Sequence, residues 1–361
     1  ASLVGSEMCI RDSKYIIVAI RKDRWVANLF YRLADKNTRN GIQIFEDFCK
    51  SGHMKEKDIL AMRVLGDDAQ IPAYRFENVL LRKNRRFYNG DESNFVNLFA
   101  SDYNDDFPDP FVRADILNWL YQVQALSGPT GDKGLFQVSE LARSLQVYGH
   151  SLAVIYRELA YLARKNLVLC ENSAMPIEEG DLVKITIPGA LHLQMLRNVS
   201  YLSACAEDTL FKNTEVMTRI SNRLKFHESD SKLVVALNAR DLVNSLIEYR
   251  KEYLTNSDEL VSEKAIISSV DLNDSLHAVE QWIQADENLK KTISEIDYFT
   301  VDMDVDACVV SKNSGGVVCT IADKDVKGFI SSLEPKYSFP HDVYSKIKPG
   351  DILKCKVMEF D

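Results

Sequence analysis

Residues 135–190 read LFQVSELARSLQVYGHSLAVIYRELAYLARKNLVLCENSAMPIEEGDLVKITIPGA, and their spacing decides how the chain is read. Leu135 to Val138 is an apolar run of strand length. Ser139 has the chemistry of an N-cap, and a helix is predicted from it through Leu145. Tyr148-Gly149-His150 is a tight turn. From Ser151, Leu152, Ile155, Leu159 and Leu162 fall on one apolar helical face. Leu167 to Cys170 and Leu182 to Ile187 alternate as strands, joined by a polar loop around Glu178-Glu179-Gly180-Asp181. A helix after Pro188 closes the unit. Upstream, Ile116, Leu117 and Leu120 mark another helix before the glycine-containing loop 127–134.

Helix, helix, turn, helix and β-hairpin is the order of a winged helix, an α+β unit expected over residues 111–205. The helix from Ser151 is its recognition helix. Its outer face offers Ser151, Tyr156, Arg157 and Arg164, offset by Glu158. Readers of DNA concentrate Lys and Arg there for phosphate contact, and this face is only weakly basic. A protein contact is therefore its expected role, with Arg157 and Arg164 as the candidate nucleic-acid contacts.

On the N-terminal side, residues 14–110 read as mainly helical. Trp25, Leu29, Phe30 and Leu33 recur at helical spacing, and Ile42, Ile44, Phe45 and Phe48 do so after Asn40-Gly41. Tyr15 to Ile20 reads as a strand or a buried helix turn. Ser51-Gly52-His53 ends one helix, another starts near Lys55, and Ile71-Pro72 opens a segment to about Leu81. The run Arg82-Lys83-Asn84-Arg85-Arg86 reads as a solvated face or a phosphate contact. On the C-terminal side, residues 206–298 form a helical spacer. Its best helices cover 233–253 and 275–293, with breaks at 256–258 and 271–274. Residues 299–361 change to short strands with turns at Asn313-Ser314-Gly315-Gly316 and Lys348-Pro349-Gly350-Asp351, the pattern of a small barrel.

Composition narrows the function. With 361 residues the chain exceeds one ordinary core, which implies several domains. A net charge of −9 argues against nucleic acid as a partner for the whole surface, although residues 14–90 are basic. No apolar run reaches the roughly 18 residues that cross a bilayer. The seven cysteines form no C-x-x-C pair and the histidines are dispersed, which argues against a zinc site or disulfide frame and for a reduced, cytoplasmic setting. Asp302, Asp304 and Asp306 alternate, and solvent exposure is their expected role rather than metal binding. Gly128-Pro-Thr-Gly-Asp-Lys133 lacks the spacing and the Ser/Thr of a phosphate-binding loop.

Two known families share these patterns. Gly315-Gly316-Val-Val, Val326-Lys-Gly-Phe-Ile330, Lys348-Pro-Gly-Asp351 and Val357-Met-Glu-Phe-Asp361 resemble the S-one-like OB domain, which binds RNA. The resemblance implies a nucleic-acid face at Phe329 with Lys312, Lys324 and Lys327. Val317 and Ser331 depart from it, standing where an aromatic and a histidine are common. The family closes its barrel with one more basic strand, so the resemblance implies an incomplete barrel over residues 299–361. Phe45-Glu-Asp-Phe-Cys-Lys-Ser-Gly-His53, Phe95-Val-Asn-Leu-Phe99 and the winged helix after them resemble the lid and winged helix of bacterial P-loop ATPases of the AAA+/STAND type. That resemblance implies a γ-phosphate sensor at Arg39, in the setting Asn37-Thr38-Arg39.

Residues 2–13 resemble a translated transposase adapter. Glu7 to Asp12 are one reading frame of GAGATGTGTATAAGAGACAG, and residues 1–13 are set aside from fold reasoning. The expectation is then a multidomain chain, mainly α, with a winged helix and an all-β OB-like barrel at the C-terminus. As a function it is the non-catalytic C-terminal part of a P-loop NTPase. ATP and magnesium belong to the parent only, and no metal is bound here. The expected partners are the ATPase core of the same parent and RNA or DNA, without a membrane. The alternative is a nucleic-acid-binding regulator or RNA-processing factor with no ATPase parent.

Overall fold

Short polar side chains start several helices. Asp23 accepts the Trp25 and Val26 amides at 2.9 and 3.1 Å, Asn37 accepts the Arg39 amide at 3.0 Å, and Asn198 accepts the Tyr201 amide at 2.8 Å. The computed structural model describes residues 13–53, 56–65, 71–101, 109–126, 134–172, 176–226, 231–253, 269–298, 303–313, 316–321, 327–331 and 341–357. The adapter-like residues 1–12, the glycine-containing loop to residue 133 and Lys324 lie outside them. The chain divides into two units, Ala1–Trp282 and Ile283–Asp361.

In the first unit, α1 covers residues 13–22, followed by α2 (Arg24–Ala34), α3 (Thr38–Lys50), α4 (Glu56–Leu65) and α5 (Ala73–Arg82). The Tyr15 to Ile20 stretch is thus helical, with Ile16, Ala19 and Ile20 buried along one stripe. α6 (Val112–Leu126), β1 (Phe136–Gln137), α7 (Val138–Val147), α8 (Leu152–Arg164), β2 (Val168–Cys170), β3 (Leu182–Ile185) and α9 (Ile187–Met195) come next. The strands form an antiparallel sheet in the order β1-β3-β2, pairing Phe136 with Val183 and Val168 with Ile185. Gly189 is required beside it, because a Cβ there would sit 2.2 Å from the Leu167 carbonyl oxygen.

The predicted cap at Ser139 is not one. α7 already begins at Val138, and carbonyls of the hairpin loop take the first amides: Val138 N–H donates to Asp181 at 3.0 Å and Ser139 N–H to Glu179 at 3.1 Å. Tertiary backbone groups replace the side-chain cap.

α10 (Val199–Glu207), α11 (Thr214–Phe226), α12 (Lys232–Tyr253) and α13 (Asn273–Gln284) complete the helices of this part, with α10 packed along α12. The core is aromatic near α3 and α5, where Phe48 and Phe76 meet edge-on at 5.3 Å between centroids. Leu29, Leu80, Ile116, Leu120, Leu159 and Leu202 are also fully buried in this unit.

A buried charge cluster fastens α6 to the segment at Ser269 and Val270, between α12 and α13. His150, in the α7–α8 turn, hydrogen-bonds Asp109 through Nδ1 and Asp115 through Nε2, the latter at 3.0 Å. Asp115 also accepts the Val270 amide at 2.8 Å and the Ser269 hydroxyl at 2.9 Å. Arg250 donates to the Val270 carbonyl and to Ser269 Oγ, and its guanidinium lies 4.0 Å over the Phe111 ring. Burial alone would lower the His150 imidazole, but the two carboxylates outweigh it and hold the pKa up at about 10. Burial likewise opposes ionisation of Asp115, yet His150, Arg250 and the Val270 amide bring its pKa below the usual value.

In the second unit, α14 (Glu287–Tyr298) precedes β4 (Asp304–Asn313), β5 (Gly316–Ile321), β6 (Lys327–Ser331), α15 (His341–Lys346) and β7 (Ile352–Lys356). The helix predicted over 275–293 is therefore two helices, because the Asp286 carboxylate accepts the Leu289 amide at 3.1 Å and starts a new one. The sheet is antiparallel throughout, in the order β6-β5-β4-β7. Ala307, Val309, Val317, Cys319 and Ile347 form its core, with Ile330, Tyr344, Leu353 and Cys355 packed on them.

Candidate nucleic-acid interface

Strand alternation sets which side chains share the other face of this sheet. Val317 and Cys319 point inward, so Val318 and Thr320 point outward. Register carries that face across all four strands. Lys327 stands opposite Thr320, Thr320 opposite Cys308, and Cys308 opposite Ile352. Phe329 stands opposite Val318, and Val318 opposite Ser311. Farther along, Asp306 faces Lys354 and Asp304 faces Lys356. Phe329 is 57% exposed and Ile352 71%, which is unusual for large apolar side chains of a sheet.

Phe329 is held in place despite its exposure. A Cβ on Gly316 would meet the Phe329 Cζ at 2.6 Å and the Ile330 carbonyl oxygen at 2.2 Å. The ring therefore lies over the bare glycine backbone of the neighbouring strand, a diagonal contact that only glycine permits. The two halves of the face differ in charge. On β4 and β7, Asp304 and Asp306 stand opposite lysines. On β5 and β6, Lys327 has no ion-pair partner among the described residues. That half offers a fixed aromatic plane beside a free cation.

Of the other candidates on this unit, Lys312 does not join them. Its ammonium donates to the Tyr344 carbonyl and lies 4.3 Å from the Tyr344 ring centroid, closing one end of the core. Lys324 lies outside the described residues.

The candidates in the first unit are separate groups. Arg39 is exposed in the first turn of α3, where its own amide is taken by the Asn37 cap. On α8, Arg164 is exposed and Arg157 donates to Glu158 at 2.9 Å. Glu158 is buried and also receives Arg113 at 2.6 Å, while Arg113 stacks on Tyr161 at 3.9 Å. Tyr161 donates to the Asp91 carboxylate at 2.7 Å, and Lys165 donates to the Asp91 carbonyl. Glu158 and Tyr161 of α8 and Lys165 at its end are thus drawn against α6 and the loop at Asp91, while Ser151 and Arg164 stay exposed. Burial pushes the Tyr161 hydroxyl pKa up, so it stays a neutral donor.

The basic run is exposed from Asn84 to Arg86, as a solvated face would be, but Arg82 is buried and leaves it. Arg82 makes an ion pair with Glu207, both side chains being at most 2% exposed, and donates to Asn78 at 3.1 Å. Lys83 lies 3.6 Å from Asp47, Arg85 pairs with Glu92, and Arg86 donates to the Leu224 carbonyl at 3.3 Å. The same run receives the Ser51-Gly52-His53 segment. Ser51 Oγ bonds the Lys83 carbonyl, Gly52 N–H bonds Asn84 at 3.2 Å, and the His53 ring bonds the Arg85 carbonyl at 2.8 Å.

Sequence reasoning missed the His150 cluster, since nothing in the spacing of Asp109, Asp115, His150 and Arg250 joins them. It also missed the face lysines Lys354 and Lys356, for which the alternation along β7 was an available signal. Among the described residues no group of three or more His, Cys, Asp or Glu side chains is placed to hold a metal ion, and no helix is long and apolar enough to cross a membrane. Comparison with known proteins finds no family model, no curated protein and no solved structure that matches the chain.

Proposed function

We propose that this chain is a binding assembly without catalysis of its own. In this reading residues 299–361 are an OB-like domain, of the S-one type, that takes single-stranded RNA on its open sheet face. The observation that carries it is the exposed Phe329 ring, fixed over Gly316 and flanked by the unpaired Lys327. An aromatic plane accepts any base by stacking, and a lysine beside it meets the backbone phosphate.

Residues 111–205 are then a winged helix and residues 14–110 the lid of a P-loop NTPase of the AAA+/STAND type, with Arg39 as its γ-phosphate sensor. The residue pattern from Phe45 to His53 and the exposed position of Arg39 support this half. The ties from α8 to Arg113 and Asp91 favour a protein-contact role for the winged helix over DNA reading. Nucleotide and magnesium belong to the parent's core, which is the partner of this part.

A salt titration separates the roles. Labelled single-stranded RNA should bind with an affinity that falls as salt rises, and duplex DNA should bind no better than non-specifically. The double substitution Arg157→Ala, Arg164→Ala should leave RNA affinity unchanged. Tight duplex binding lost in that variant would reverse the assignment. Metal-dependent ATP hydrolysis by the chain would refute the non-catalytic reading.

A further inference from the structure

The corner between α1 and α2 joins a held aromatic ring to a group of exposed cations. Residues 13–25 carry four basic side chains, Lys14, Arg21, Lys22 and Arg24, against one acid, Asp23. All four are exposed. Lys14, Arg21 and Arg24 have no ion-pair partner among the described residues. Asp23 serves as the α2 cap, its Oδ1 accepting the Trp25 and Val26 amides. Lys14, Ile17 and Arg21 recur at i, i+3 and i+7, so they share the outer side of α1, away from the buried stripe of Ile16, Ala19 and Ile20. On a chain of net charge −9, this excess of positive charge is local.

Trp25 follows Arg24 directly and is 38% exposed. Its indole N–H donates to the Glu77 carboxylate at 2.9 Å, and Glu77 is itself only 9% exposed. The ring is thus held in one orientation while part of it stays open to solvent. Three kinds of partner carry the charge that such a corner attracts. A helix that enters an anionic membrane buries a broad apolar stripe in it. α1 turns its broad stripe into the protein core and leaves only Ile17, 44% exposed, on the outer side. An acidic protein surface matches the cations but gives the held indole no task. A single nucleic-acid strand uses both, since its bases stack on an aromatic plane and its phosphates meet the cations beside it.

We propose that the α1–α2 corner is a contact for single-stranded nucleic acid, with one base stacked on Trp25 and the neighbouring phosphates at Arg21, Lys22 and Arg24. Lys14 extends the contact along α1. The corner reads charge and a base plane rather than sequence. It does not rest on the reading of the sheet face at Phe329, which lies in the other unit.

Tryptophan fluorescence tests it separately from the sheet face, because Trp25, Trp119 and Trp282 all lie in the first unit. The whole chain carrying Phe329→Ala is titrated with oligouridylate. Emission should be quenched saturably, and three phosphate contacts to a single strand should give a log–log salt slope of about −2. Adding Trp25→Phe should remove the quenching. Adding Arg21→Gln, Lys22→Gln and Arg24→Gln together should weaken binding at least tenfold with circular dichroism unchanged. Should that variant unfold, Trp25→Phe and the salt slope decide instead. Absence of quenching at low salt, quenching that persists in Trp25→Phe, or a folded triple variant of unchanged affinity would overturn the proposal. So would phosphatidylserine vesicles or poly-glutamate that quench Trp25 as strongly at equal charge, which would assign the corner to a membrane or to an acidic protein. Each of these failures leaves the sheet-face reading standing.

Discussion

Replacing His150 by Gln removes the one positive charge that lies between Asp109 and Asp115. The His150 side chain is 0% exposed and that of Asp115 1%, so water cannot take its place. A histidine pKa moved from 6.5 to about 10 corresponds to about 5 kcal/mol of favourable interaction with the charged ring. Breaking a buried ion pair by removing one partner costs about 3–5 kcal/mol, because it leaves the other charge uncompensated. The two figures agree in size, and Arg250 remains to offset part of the loss. A destabilisation of about 3–5 kcal/mol is therefore expected for H150Q. The pH dependence has a definite sign. Because the folded pKa is raised, the contribution is complete below pH 6.5 and disappears as pH rises toward 10. Urea unfolding at half-unit steps from pH 6 to pH 10 reads this directly. The gap between the wild-type chain and H150Q should be widest near pH 6 and should close toward pH 10. A gap below about 1 kcal/mol, or one independent of pH, would refute the assigned role of the cluster.

Other outcomes are equally specific. Burial holds the His192 imidazole neutral, lowering its pKa to about 4, while the ring accepts the Val96 amide at 2.9 Å; stability should therefore fall between pH 6.5 and 4, and less so in His192→Asn when acid unfolding is followed by circular dichroism. Arg82→Met leaves the Glu207 carboxylate buried without its cation, and a loss of about 3–5 kcal/mol in urea unfolding is expected, which Glu207→Gln in the same chain should partly restore. Gly316→Ala, whose Cβ would meet the Ile330 carbonyl oxygen as well as the Phe329 ring, should disturb the β5–β6 pairing and weaken RNA binding several-fold while tryptophan fluorescence of the first unit is unchanged. Gly189→Ala should destabilise the first unit strongly, since its Cβ meets backbone rather than a side chain that can move, and thermal unfolding would register it.

Local patterns were legible where burial and periodicity coincide. The helical face of Ile155, Leu159 and Leu162 and the strands at Val168 and Leu182 fall where spacing put them, whereas Leu152, expected on the same face, is exposed in the first turn. What spacing cannot encode is which distant groups meet. Ser139 looked like a cap because its side chain has the chemistry, yet the carbonyls of Glu179 and Asp181, far along the chain, took the amides. Arg82 looked like surface because five polar residues adjoin, and the run is exposed from Asn84 to Arg86, yet α10 places Glu207 against Arg82 itself. Asp286 interrupted a continuous helical pattern, since a side chain that accepts an amide is stronger punctuation than the apolar stripe around it. At the sheet face, Phe329 and Lys327 could be named from sequence, whereas Lys312 could not be excluded until Tyr344 was seen beneath it.

The most direct test of the central claim is fluorescence anisotropy of a labelled oligouridylate titrated with the whole chain and with Phe329→Ala. Stacking on one aromatic side chain is worth about 1–3 kcal/mol per base. The wild-type chain should bind at moderate salt, and Phe329→Ala should bind about tenfold or more weakly with unaltered folding. Undetectable binding by the wild-type chain, or equal affinity in the two proteins, would contradict the account.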